Sequence, residues 1–370
     1  MKVLCVFGTR PEAIKMAPIV LELRKRKEIE SYVAVTGQHR EMLDQVLAIF
    51  DIKPDFDLDI FTPGQSLTDI AVKSLRGLED VLEELKPDLL LVQGDTSTVF
   101  AAALSAFYHR VTVGHVEAGL RSHNLYSPYP EEANRKLTGV LAEYHFAPTE
   151  SNRQNLLKEG YDDDKIYITG NTVIDALTYT ERKDFVFDEP ALDAIDFDEK
   201  RVILLTCHRR ENLGEPMERV FSAVRRIADE YDDVEVVFPM HLNPKVRTIA
   251  ESTLGGAENV HRIEPMDYLP FSNLIARSNI IVTDSGGIQE EAPHFGVPVL
   301  VAREETERWE GVEAETAKLV GTDEEKLYDA LRTLLDDKSA YESMAQAVNP
   351  YGDGKAAERI VDIILKDKLK

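Results

Sequence analysis

The chain has 370 residues, with 43 Lys and Arg against 67 Asp and Glu, which gives a formal net charge of −24. This charge argues against nonspecific binding to nucleic acid or to an anionic membrane, because phosphate contacts need a cationic surface. The length predicts two domains that share a cleft. No apolar run is long enough for a membrane span or a signal-peptide core, so the sequence predicts a soluble, cytoplasmic protein with reduced core thiols at Cys5 and Cys207.

The first half of the chain alternates strand patterns with helical ones. A helix is predicted after Pro11, and another from about Ser66 to Leu85, ending before Pro87. Short apolar runs, typical of strands covered on both faces of a parallel sheet, lie at 3–7, 32–36, 89–93, 111–116 and 144–148, and the pattern continues at 166–168. This β-α-β alternation predicts a doubly wound α/β domain.

The alternation is interrupted at 183–200. This acidic stretch contains Pro190 and has no long periodic segment, so we interpret it as an interdomain linker. A last helix, near 354–370, is predicted to pack back on the first domain. Between the linker and this helix, strand patterns resume at 202–206, 234–238, 280–283 and 297–301.

The predicted fold is therefore α/β, with two Rossmann-like doubly wound domains facing a central cleft in the GT-B manner. The N-terminal domain is predicted at 1–182, joined by the helix at 354–370, and the C-terminal domain at 201–353. Ligand is expected between the domains, at the carboxyl ends of the strands. A periplasmic-binding-protein-like pair shows the same alternation, but the missing signal peptide weighs against it.

The stretch IIVTDSGGIQEE at 280–291 reads as a buried strand, a glycine turn and the first turn of a helix. Ser285 is placed to cap this helix, and Gly286 and Gly287 let a ligand approach the backbone closely. Unpaired N–H groups and the positive end of the helix dipole predict an anion site suited to a diphosphate, although an ordinary turn has the same motif. Glu291 is placed to accept hydrogen bonds from two sugar hydroxyls.

Three carboxylates and one histidine are candidates for chemistry. Asp95 and Glu117 each follow a buried strand, where an open sheet presents its ligand crevice. Glu131 opens the helix of YPEEANR at 129–135, where the general preference for acids in first helical turns is the alternative explanation. His208 follows the first strand of the second domain. Clustered carboxylates raise one another's pKa, which leaves acid and base forms together near neutral pH and suits proton transfer.

Basic and aromatic side chains complete the candidate site. Arg10 and Lys15 flank the start of the first helix, where an anion is favoured, although a surface ion pair is the alternative. Arg308 follows the strand at 297–301 and is expected to reach the same cleft. Phe271 is placed to pack either on a flat base or in the core.

Motifs for metal, nucleotide-cofactor or hydrolase chemistry are missing from the sequence. His115 and Glu117 lie two residues apart on a strand but have no further close ligands. A Walker lysine motif, a complete GxGxxG after the first strand and a nucleophile elbow are also missing. The sequence therefore predicts neither a metal nor a nicotinamide cofactor.

Six motifs together resemble those of the UDP-N-acetylglucosamine 2-epimerases of the non-hydrolysing kind, and the resemblance covers essentially the whole chain. Several motifs in one order are far more specific than any single one. The resemblance implies the GT-B fold and a homodimer without metal or redox cofactor. The motifs are FGTRPE at 7–12, QGDT at 93–96, HVEAGLR at 115–121, PEEANR at 130–135, HRREN at 208–212 and the SGG at 285–287.

The resemblance also implies a reaction. UDP leaves C1 as the C2 proton is removed, giving 2-acetamidoglucal, and UDP adds back with a proton on the other face. These two steps together would interconvert UDP-N-acetylglucosamine and UDP-N-acetylmannosamine. The implied catalytic residues are Asp95, Glu117, Glu131 and His208. The implied substrate contacts are Arg10, Lys15, Ser285, Gly286, Gly287 and Arg308, with Glu291 at the ribose and Met266 and Phe271 near the base.

Bacterial members of the resembled family bind a second UDP-N-acetylglucosamine beside the active site, which must be filled before the reverse reaction runs. The sequence departs from the family pattern at Gly64, where a bacterial arginine helps to bind this effector. It also departs at Trp309 and Glu315, which are expected near the diphosphate pocket. The implied effector contacts are Gln38, His39, Arg209 and His241.

Other functions are compatible with the same residues. A hydrolysing relative would release free N-acetylmannosamine and UDP, and an epimerase for a modified N-acetylglucosamine would use the same chemistry. A GT-B glycosyltransferase needs an acceptor-side base and gives no role to three cleft carboxylates. A nucleotide-sugar sensor would retain the UDP site without the chemistry. Against a sensor stand the intact residues Asp95, Glu117, Glu131 and His208.

Overall fold

The computed structural model describes residues 1–38 and 40–368. These residues divide into two compact units. Unit 1 comprises Met1–Tyr179 and Tyr351–Lys370, and unit 2 comprises Thr180–Pro350. Each unit is built on a parallel sheet flanked by helices, which confirms the predicted class of two Rossmann-like α/β units. Within the described ranges, no helix is long and apolar enough to cross a membrane.

The sheet of unit 1 has the first strand of the chain in its interior, with a neighbouring strand on each side. The strands are β1 (Lys2–Phe7), β2 (Glu30–Val35), β3 (Phe56–Asp57), β4 (Leu89–Gln93), β5 (Thr112–Val116), β6 (Tyr144–Ala147) and β7 (Ile166–Ile168). Among the described residues they form a seven-stranded sheet of order β3-β2-β1-β4-β5-β6-β7. Because β1, β4 and β5 are parallel neighbours, the loops that follow them leave the same edge of the sheet.

The helices of unit 1 follow the strands in regular alternation. They are α1 (Arg10–Lys25), α2 (Arg40–Ile49), α3 (Leu67–Leu85), α4 (Ser97–Tyr108), α5 (Glu131–Leu141), α6 (Glu150–Lys158) and α7 (Thr172–Thr180), with a short 3-10 turn at Asp163–Lys165. The start of α3 shows why its bounds were predictable from sequence. The Ser66 hydroxyl accepts from the Asp69 N–H at 3.1 Å, while the Asp69 carboxylate accepts from the Ser66 N–H at 2.9 Å. This reciprocal capping box fixes the helix start.

Unit 2 repeats the same design with a shorter sheet. Its strands are β8 (Arg201–Thr206), β9 (Val234–Pro239), β10 (Val260–Ile263), β11 (Ile280–Thr283), β12 (Val299–Val301) and β13 (Ala317–Leu319). In the described part of the chain their order is β10-β9-β8-β11-β12-β13. The loops after β8, β11 and β12 therefore share one edge, since these strands are parallel neighbours.

The helices of unit 2 cover both faces of its sheet. They are α8 (Pro190–Asp193), α9 (Glu215–Glu230), α10 (Pro244–Leu254), α11 (Tyr268–Arg277), α12 (Gly286–Glu291), α13 (Trp309–Glu313), α14 (Glu324–Asp336) and α15 (Lys338–Ala345), with 3-10 turns at Arg210–Asn212 and Ala292–Phe295. The chain then returns to unit 1 with α16 (Ala356–Lys368), whose Ile360, Val361 and Ile364 are buried.

The stretch predicted as a linker is part of unit 2. Phe187, Leu192 and Ile195 are buried in the hydrophobic core of that unit, and α8 forms at Pro190. The boundaries consequently lie at 179/180 and 350/351, rather than at the predicted 182, 201 and 353. The linker was predicted from the acidic composition of 183–200 and from its lack of a long periodic segment. The scattered apolar residues are nevertheless buried, because burial depends on tertiary packing and not on the average composition of the segment.

Three short strands were not predicted from the sequence. They are β3, β10 and β13, of two, four and three residues. Each lies at an outer edge of its sheet, where the described chain pairs it with a neighbouring strand on one side only. An edge strand needs less apolar sequence than a central one, so the continuous apolar run that identified β1 or β8 is missing here.

Candidate active site

The loop after β1 lies very close to the residue that follows β2. A Cβ atom on Gly8 would lie 2.0 Å from Oγ1 of Thr36, so only glycine is tolerated at this position. The chain then turns directly into α1, with Arg10 as its first residue and Pro11 within the first turn. The predicted position of Arg10 at a helix start is therefore correct.

A cavity of about 360 Å³ lies next to this helix start in unit 1. Its lining includes Arg10, Asp95 and Glu131 of the predicted catalytic and substrate-binding residues, the predicted effector contact Gln38, and Asn134. The Arg10 guanidinium makes no hydrogen bond or ion pair with any described residue. An arginine that lines the same cavity as two carboxyls and has no partner among the described residues is suited to an anionic ligand, since its planar fork of donors matches phosphate oxygens.

Asp95 is held rigidly at the wall of this cavity. Oδ2 accepts from Arg135 Nε at 2.9 Å and Nη2 at 2.7 Å, and the Asp95 carbonyl accepts from the Asn134 side-chain amide at 2.9 Å. Arg135 also donates to Glu132 at 3.0 Å, and Glu132 is fully buried. Two residues of the YPEEANR motif thus fix the loop after β4, which was not foreseen from sequence.

Glu131 is the first residue of α5, as predicted. Its Oε2 is buried and has no hydrogen-bond partner in the part of the chain that the structure describes. Leaving a buried polar oxygen without a partner costs about 1–3 kcal/mol. A helix-dipole role alone would favour an exposed carboxylate, so the burial points to a ligand or a transferred proton at this oxygen.

Glu117 does not line this cavity, although it follows the neighbouring strand β5. Its carboxylate is ion-paired with Lys15, and it also accepts from Gln93 Nε2 at 2.6 Å and Asn171 Nδ2 at 3.3 Å. Its backbone φ is +63°, a left-handed conformation that is rare outside glycine. Strained backbone of this kind concentrates at functional sites, where surrounding contacts hold it in place. Lys15 therefore contacts a candidate catalytic carboxylate directly.

Glu12 is a buried carboxyl that the sequence reasoning missed. It accepts hydrogen bonds from the backbone N–H of Gly8 at 2.5 Å and Thr9 at 2.9 Å, and from the Thr96 hydroxyl. Burial raises its pKa to about 7, while these hydrogen bonds oppose the rise. Glu12 thereby ties the loop carrying Asp95 to the start of α1. Its signal was the Thr9-x-x-Glu12 spacing of a capping box.

His115 lies on β5, two residues before Glu117, and is buried. Its Nε2 donates to the Gly94 carbonyl at 2.7 Å, so this nitrogen carries a proton, and Nδ1 has no partner among the described residues. Burial lowers the pKa of His115 to about 4, with Arg121 and Arg135 acting in the same direction against Glu117 and the Gly94 hydrogen bond. A group of three or more residues arranged to hold a metal ion is not found within 1–38 and 40–368.

This lowered pKa predicts a pH-dependent loss of stability. His115 takes up a proton near pH 6.5 in the unfolded chain but only near pH 4 in the folded protein. The contribution of His115 to the free energy of unfolding therefore falls as the pH drops through this window. Integrating the two titrations gives a loss of about 2 kcal/mol in the free energy of unfolding between pH 7 and pH 5. The pKa of Glu12 is shifted in the opposite direction, so its effect on stability has the opposite dependence on pH. Comparing the wild type with a variant that lacks only His115 isolates the contribution of the histidine.

Urea unfolding of the wild type and of His115→Gln at pH 7 and pH 5 measures this difference. Glutamine retains a donor for the Gly94 carbonyl and does not titrate. The variant should lose about 2 kcal/mol less than the wild type on acidification. Equal losses would show that His115 titrates normally in the folded protein.

Unit 2 brings His208 together with a buried aspartate. His208 follows β8, and Asp284 follows the parallel neighbour β11. His208 Nδ1 lies 3.4 Å from Asp284 Oδ1, and the Asp284 side chain is fully buried. Burial lowers the pKa of His208, which His241 and Arg209 reinforce and Asp284 opposes. The sequence reasoning placed His208 correctly at a strand end but assigned no role to Asp284.

The SGG turn assembles most of the predicted diphosphate residues. Ser285 occupies the N-cap position of α12, but its side chain makes no capping hydrogen bond, contrary to the prediction. A Cβ on Gly286 would lie 3.5 Å from Cζ of Arg308, and one on Gly287 would lie 3.6 Å from Glu291 Oε1. Arg308 is itself oriented by buried Glu290, whose Oε1 accepts from its Nε at 2.7 Å.

The remaining predicted residues have simpler surroundings. Met266 and Phe271 are half-buried and pack against the hydrophobic core of unit 2. Gln38 lines the cavity of unit 1 and accepts from the Thr98 hydroxyl at 3.2 Å. His241 stacks on His208, with ring centroids 5.2 Å apart and planes 9° apart. His39 lies outside the described residues.

Two doubly wound α/β units, each with charged side chains gathered at strand carboxyl ends, define a protein of the GT-B type. The sequence profile of UDP-N-acetylglucosamine 2-epimerases matches residues 21–365, and the chain belongs to this family. The resemblance to UDP-N-acetylglucosamine 2-epimerases inferred from the six motifs is thus confirmed at the level of the family.

Known relatives extend over the same length as this chain. A UDP-N-acetylglucosamine 2-epimerase of Bacillus subtilis is 57% identical over 365 residues, covering 99% of this chain and 95% of the relative. The crystal structure of a Neisseria meningitidis UDP-GlcNAc 2-epimerase bound to UDP-GlcNAc is 52% identical, with a TM-score of 0.89 and coverage of 99% and 100%. That of the Methanocaldococcus jannaschii enzyme in complex with UDP-GlcNAc and UDP is 35% identical, with a TM-score of 0.77 and coverage of 99% and 100%.

Proposed function

We propose that this chain catalyses the reversible, non-hydrolysing epimerisation of UDP-N-acetylglucosamine at C2, giving UDP-N-acetylmannosamine. The observation that carries the proposal is the cavity of unit 1, where Arg10, without a partner among the described residues, lies with the carboxyls of Asp95 and Glu131. Membership of the epimerase family supports the assignment of UDP-N-acetylglucosamine as the substrate, and so does the structure of a relative bound to UDP-GlcNAc.

In the first half-reaction a carboxylate removes the C2 proton while the bond between C1 and the diphosphate oxygen breaks. The electron pair of the C2–H bond forms the C1=C2 double bond, and UDP carries away the electrons of the C1–O bond. The products are 2-acetamidoglucal and UDP. Asp95, Glu117, Glu131 and His208 are the proposed proton-transfer groups.

In the second half-reaction the diphosphate oxygen forms a new bond to C1, and a proton is delivered to the opposite face of C2. Two proton-transfer groups are therefore needed on different faces of the sugar. A set of several carboxyls meets this need, because one can be protonated while another is ionised. Buried Oε2 of Glu131 is a strong candidate, since no protein donor occupies it in the described chain.

The leaving diphosphate needs stabilisation as its charge develops. We assign this to Arg10, the backbone N–H groups of Gly286 and Gly287, Ser285 and Arg308. Glu290 keeps Arg308 beside the SGG turn, and the side chain of Ser285 is not used as a helix cap. Fixed donors aimed at developing charge are the largest single source of catalysis in many enzymes.

The nucleoside is assigned to the remaining predicted residues of unit 2. Glu291 lies near Gly287, which suits a carboxylate that accepts from the ribose hydroxyls. Phe271 and Met266 are half-buried on the core of unit 2, so each has one face packed and another available to a flat base. Lys15 is assigned to orienting Glu117, with which it is ion-paired.

Incubation with UDP-N-acetylglucosamine in deuterated water, followed by proton and phosphorus NMR, tests the proposal. Deuterium at C2 in a mixture of intact gluco and manno nucleotide-sugars is the expected result. Free N-acetylmannosamine with UDP would establish the hydrolysing reaction instead. An unchanged, undeuterated substrate would leave a nucleotide-sugar sensor as the function. The same incubation with Glu131→Gln serves as the matched control.

We also propose that a second UDP-N-acetylglucosamine activates the enzyme. Of its assigned contacts, His241 stacks on His208, and the backbone of Arg209 is held with that of His208 by one Asp284 oxygen. An effector acts only through contacts that differ between two states, and this arrangement would transmit such a difference to His208. Gln38 and His39 complete the assigned set.

Progress curves that start from purified UDP-N-acetylmannosamine test this regulation. We expect a lag that a trace of UDP-N-acetylglucosamine removes, because the forward substrate fills the effector position. Free N-acetylglucosamine, which lacks the nucleotide, is the control and should leave the lag in place. An immediate full rate that added UDP-N-acetylglucosamine does not change would contradict activation.

The homodimer implied by the resemblance is also part of this proposal. Unit 1 exposes four apolar side chains on α4 and α5, namely Phe107, Tyr108, Leu137 and Val140. Exposed apolar side chains on adjoining helices are typical of a surface that another subunit covers. The mass of the protein in solution, measured by light scattering, distinguishes dimer from monomer.

A further inference from the structure

Asp284 is an unusual carboxylate within unit 2. Its side chain is fully buried between the ends of β11 and α12, and a buried carboxylate is stable only when donors surround it. Its Oδ2 has four of them. They are the backbone N–H of His208 at 2.9 Å, the backbone N–H of Arg209 at 2.8 Å, the Asn212 amide at 3.0 Å and the Cys207 thiol at 3.3 Å.

The other oxygen, Oδ1, is in a different position. It is buried and accepts no hydrogen bond from any described residue, although it lies 3.4 Å from Nδ1 of His208. This distance is longer than a formed hydrogen bond, which is usual for catalytic pairs in the absence of substrate. A small tilt of the imidazole satisfies Oδ1, and the described chain offers it no other donor at hydrogen-bonding distance.

We propose that Asp284 is a positioning residue that holds His208 in the Nδ1–H tautomer and presents its Nε2 to the sugar nucleotide. One oxygen fixes the main chain of His208, and the other fixes its ring, so a single carboxylate sets both the location and the protonation pattern of the side chain. The inference rests on the role proposed above for His208. Nε2 then serves as a base when the ring is neutral and as an acid when it is protonated.

The charges around the ring define how this tautomer responds to pH. Asp284 stabilises the imidazolium, while Arg209 and the stacked His241 oppose it. The His208 side chain is 41% exposed, and Nδ1 is the ring nitrogen beside buried Asp284, which leaves Nε2 as the nitrogen for a ligand. Removing the Asp284 charge should therefore lower the pKa of His208 as well as change the tautomer.

NMR of the histidine rings in the intact protein tests the proposal directly. His208→Gln identifies the signals by their loss. In the wild type we expect protonation at Nδ1, and in Asp284→Asn we expect Nε2–H, because the asparagine amide donates to Nδ1. A wild-type ring protonated at Nε2, or an unchanged tautomer in the variant, would overturn the proposal. The wild-type spectrum decides the matter even if the variant does not fold.

Kinetics supply the second readout. Asp284→Asn should lower kcat at least tenfold, with the Kd for UDP within about threefold of the wild type, and should shift the acidic limb of the kcat profile to lower pH. Cys207→Ala is the matched control, since it removes a donor from Oδ2 but leaves Oδ1 facing the ring. This control should keep kcat within about threefold. An equal loss in both variants would reduce Asp284 to a structural role.

The two readouts separate this inference from the proposed function. A wild type that does not epimerise UDP-N-acetylglucosamine overturns the proposed reaction, while the ring tautomer still reports on the pairing of Asp284 with His208. Normal epimerisation with an Nε2–H ring overturns the pairing and leaves the reaction standing.

Discussion

Replacing Glu131 by glutamine should lower kcat by at least about a hundredfold while the protein remains folded. The amide has nearly the same shape, so the cavity is preserved, but it neither accepts nor releases a proton at neutral pH. A positioned acid or base contributes roughly 10²–10⁴ in rate. Because Oε2 is buried and has no partner within the described part of the chain, we expect the loss of this carboxyl to affect the reaction rate rather than folding.

Glu150→Gln is the matched control for this variant. Glu150 also lies in the first turn of a helix of unit 1, but it is exposed and contacts Arg153 and Gln154 instead of a cavity. If Glu131 acts only through the helix dipole, the two variants should behave alike, with small changes in stability and near-normal turnover. A Glu131→Gln enzyme with at least a third of the wild-type kcat would remove this residue from the proton-transfer set.

Replacing Arg10 by alanine should lower turnover about a hundredfold or more, while the affinity for uridine changes little. The side chain has no protein partner among the described residues and faces the same cavity as Asp95 and Glu131. Its proposed task is to stabilise charge that develops on the departing diphosphate. Removing one such donor typically costs about 10²–10³ in kcat. Steady-state kinetics and calorimetric titration with uridine measure the two quantities separately.

Arg24→Ala and Arg10→Lys place this result in context. Arg24 is exposed in the last turn of the same helix, so its loss removes an equal charge without touching the cavity and should leave turnover unchanged. Lysine at position 10 keeps the charge but loses the planar fork, so we expect an intermediate rate. A drop in uridine affinity equal to the drop in turnover would assign Arg10 to the nucleoside instead.

Local sequence patterns located most of the candidate site residues. Arg10, Asp95, Glu117 and His208 follow apolar runs, and those runs form buried parallel strands. A strand that is buried on both faces is recognisable as a short, continuous apolar run. A helix start such as that at Glu131 is likewise recognisable from the residues of its first turn. The chain order of these signals was therefore enough to predict two doubly wound units and the strand ends that bear the site.

Local signals failed where burial depends on distant parts of the chain. The acidic stretch at 183–200 looked like a linker, yet its few apolar residues reach the core of unit 2. The edge strands β3, β10 and β13 are short and weakly apolar, because a neighbour pairs with them on one side only. Composition measures the average polarity of a segment, whereas packing depends on which side chains face the sheet.

The sequence by itself determined the fold class, the family motifs and the strand ends where charged residues gather. The tertiary structure alone decided which charges meet. Lys15 pairs with Glu117 across 102 residues, Arg135 with Asp95 across 40, and His208 lies beside Asp284 across the sheet of unit 2. Backbone preference and periodicity are properties of neighbouring residues, so they can be read locally. The free energy of an ionised group depends on its partners and its burial, and these are set only when strands distant in sequence take their places in one sheet.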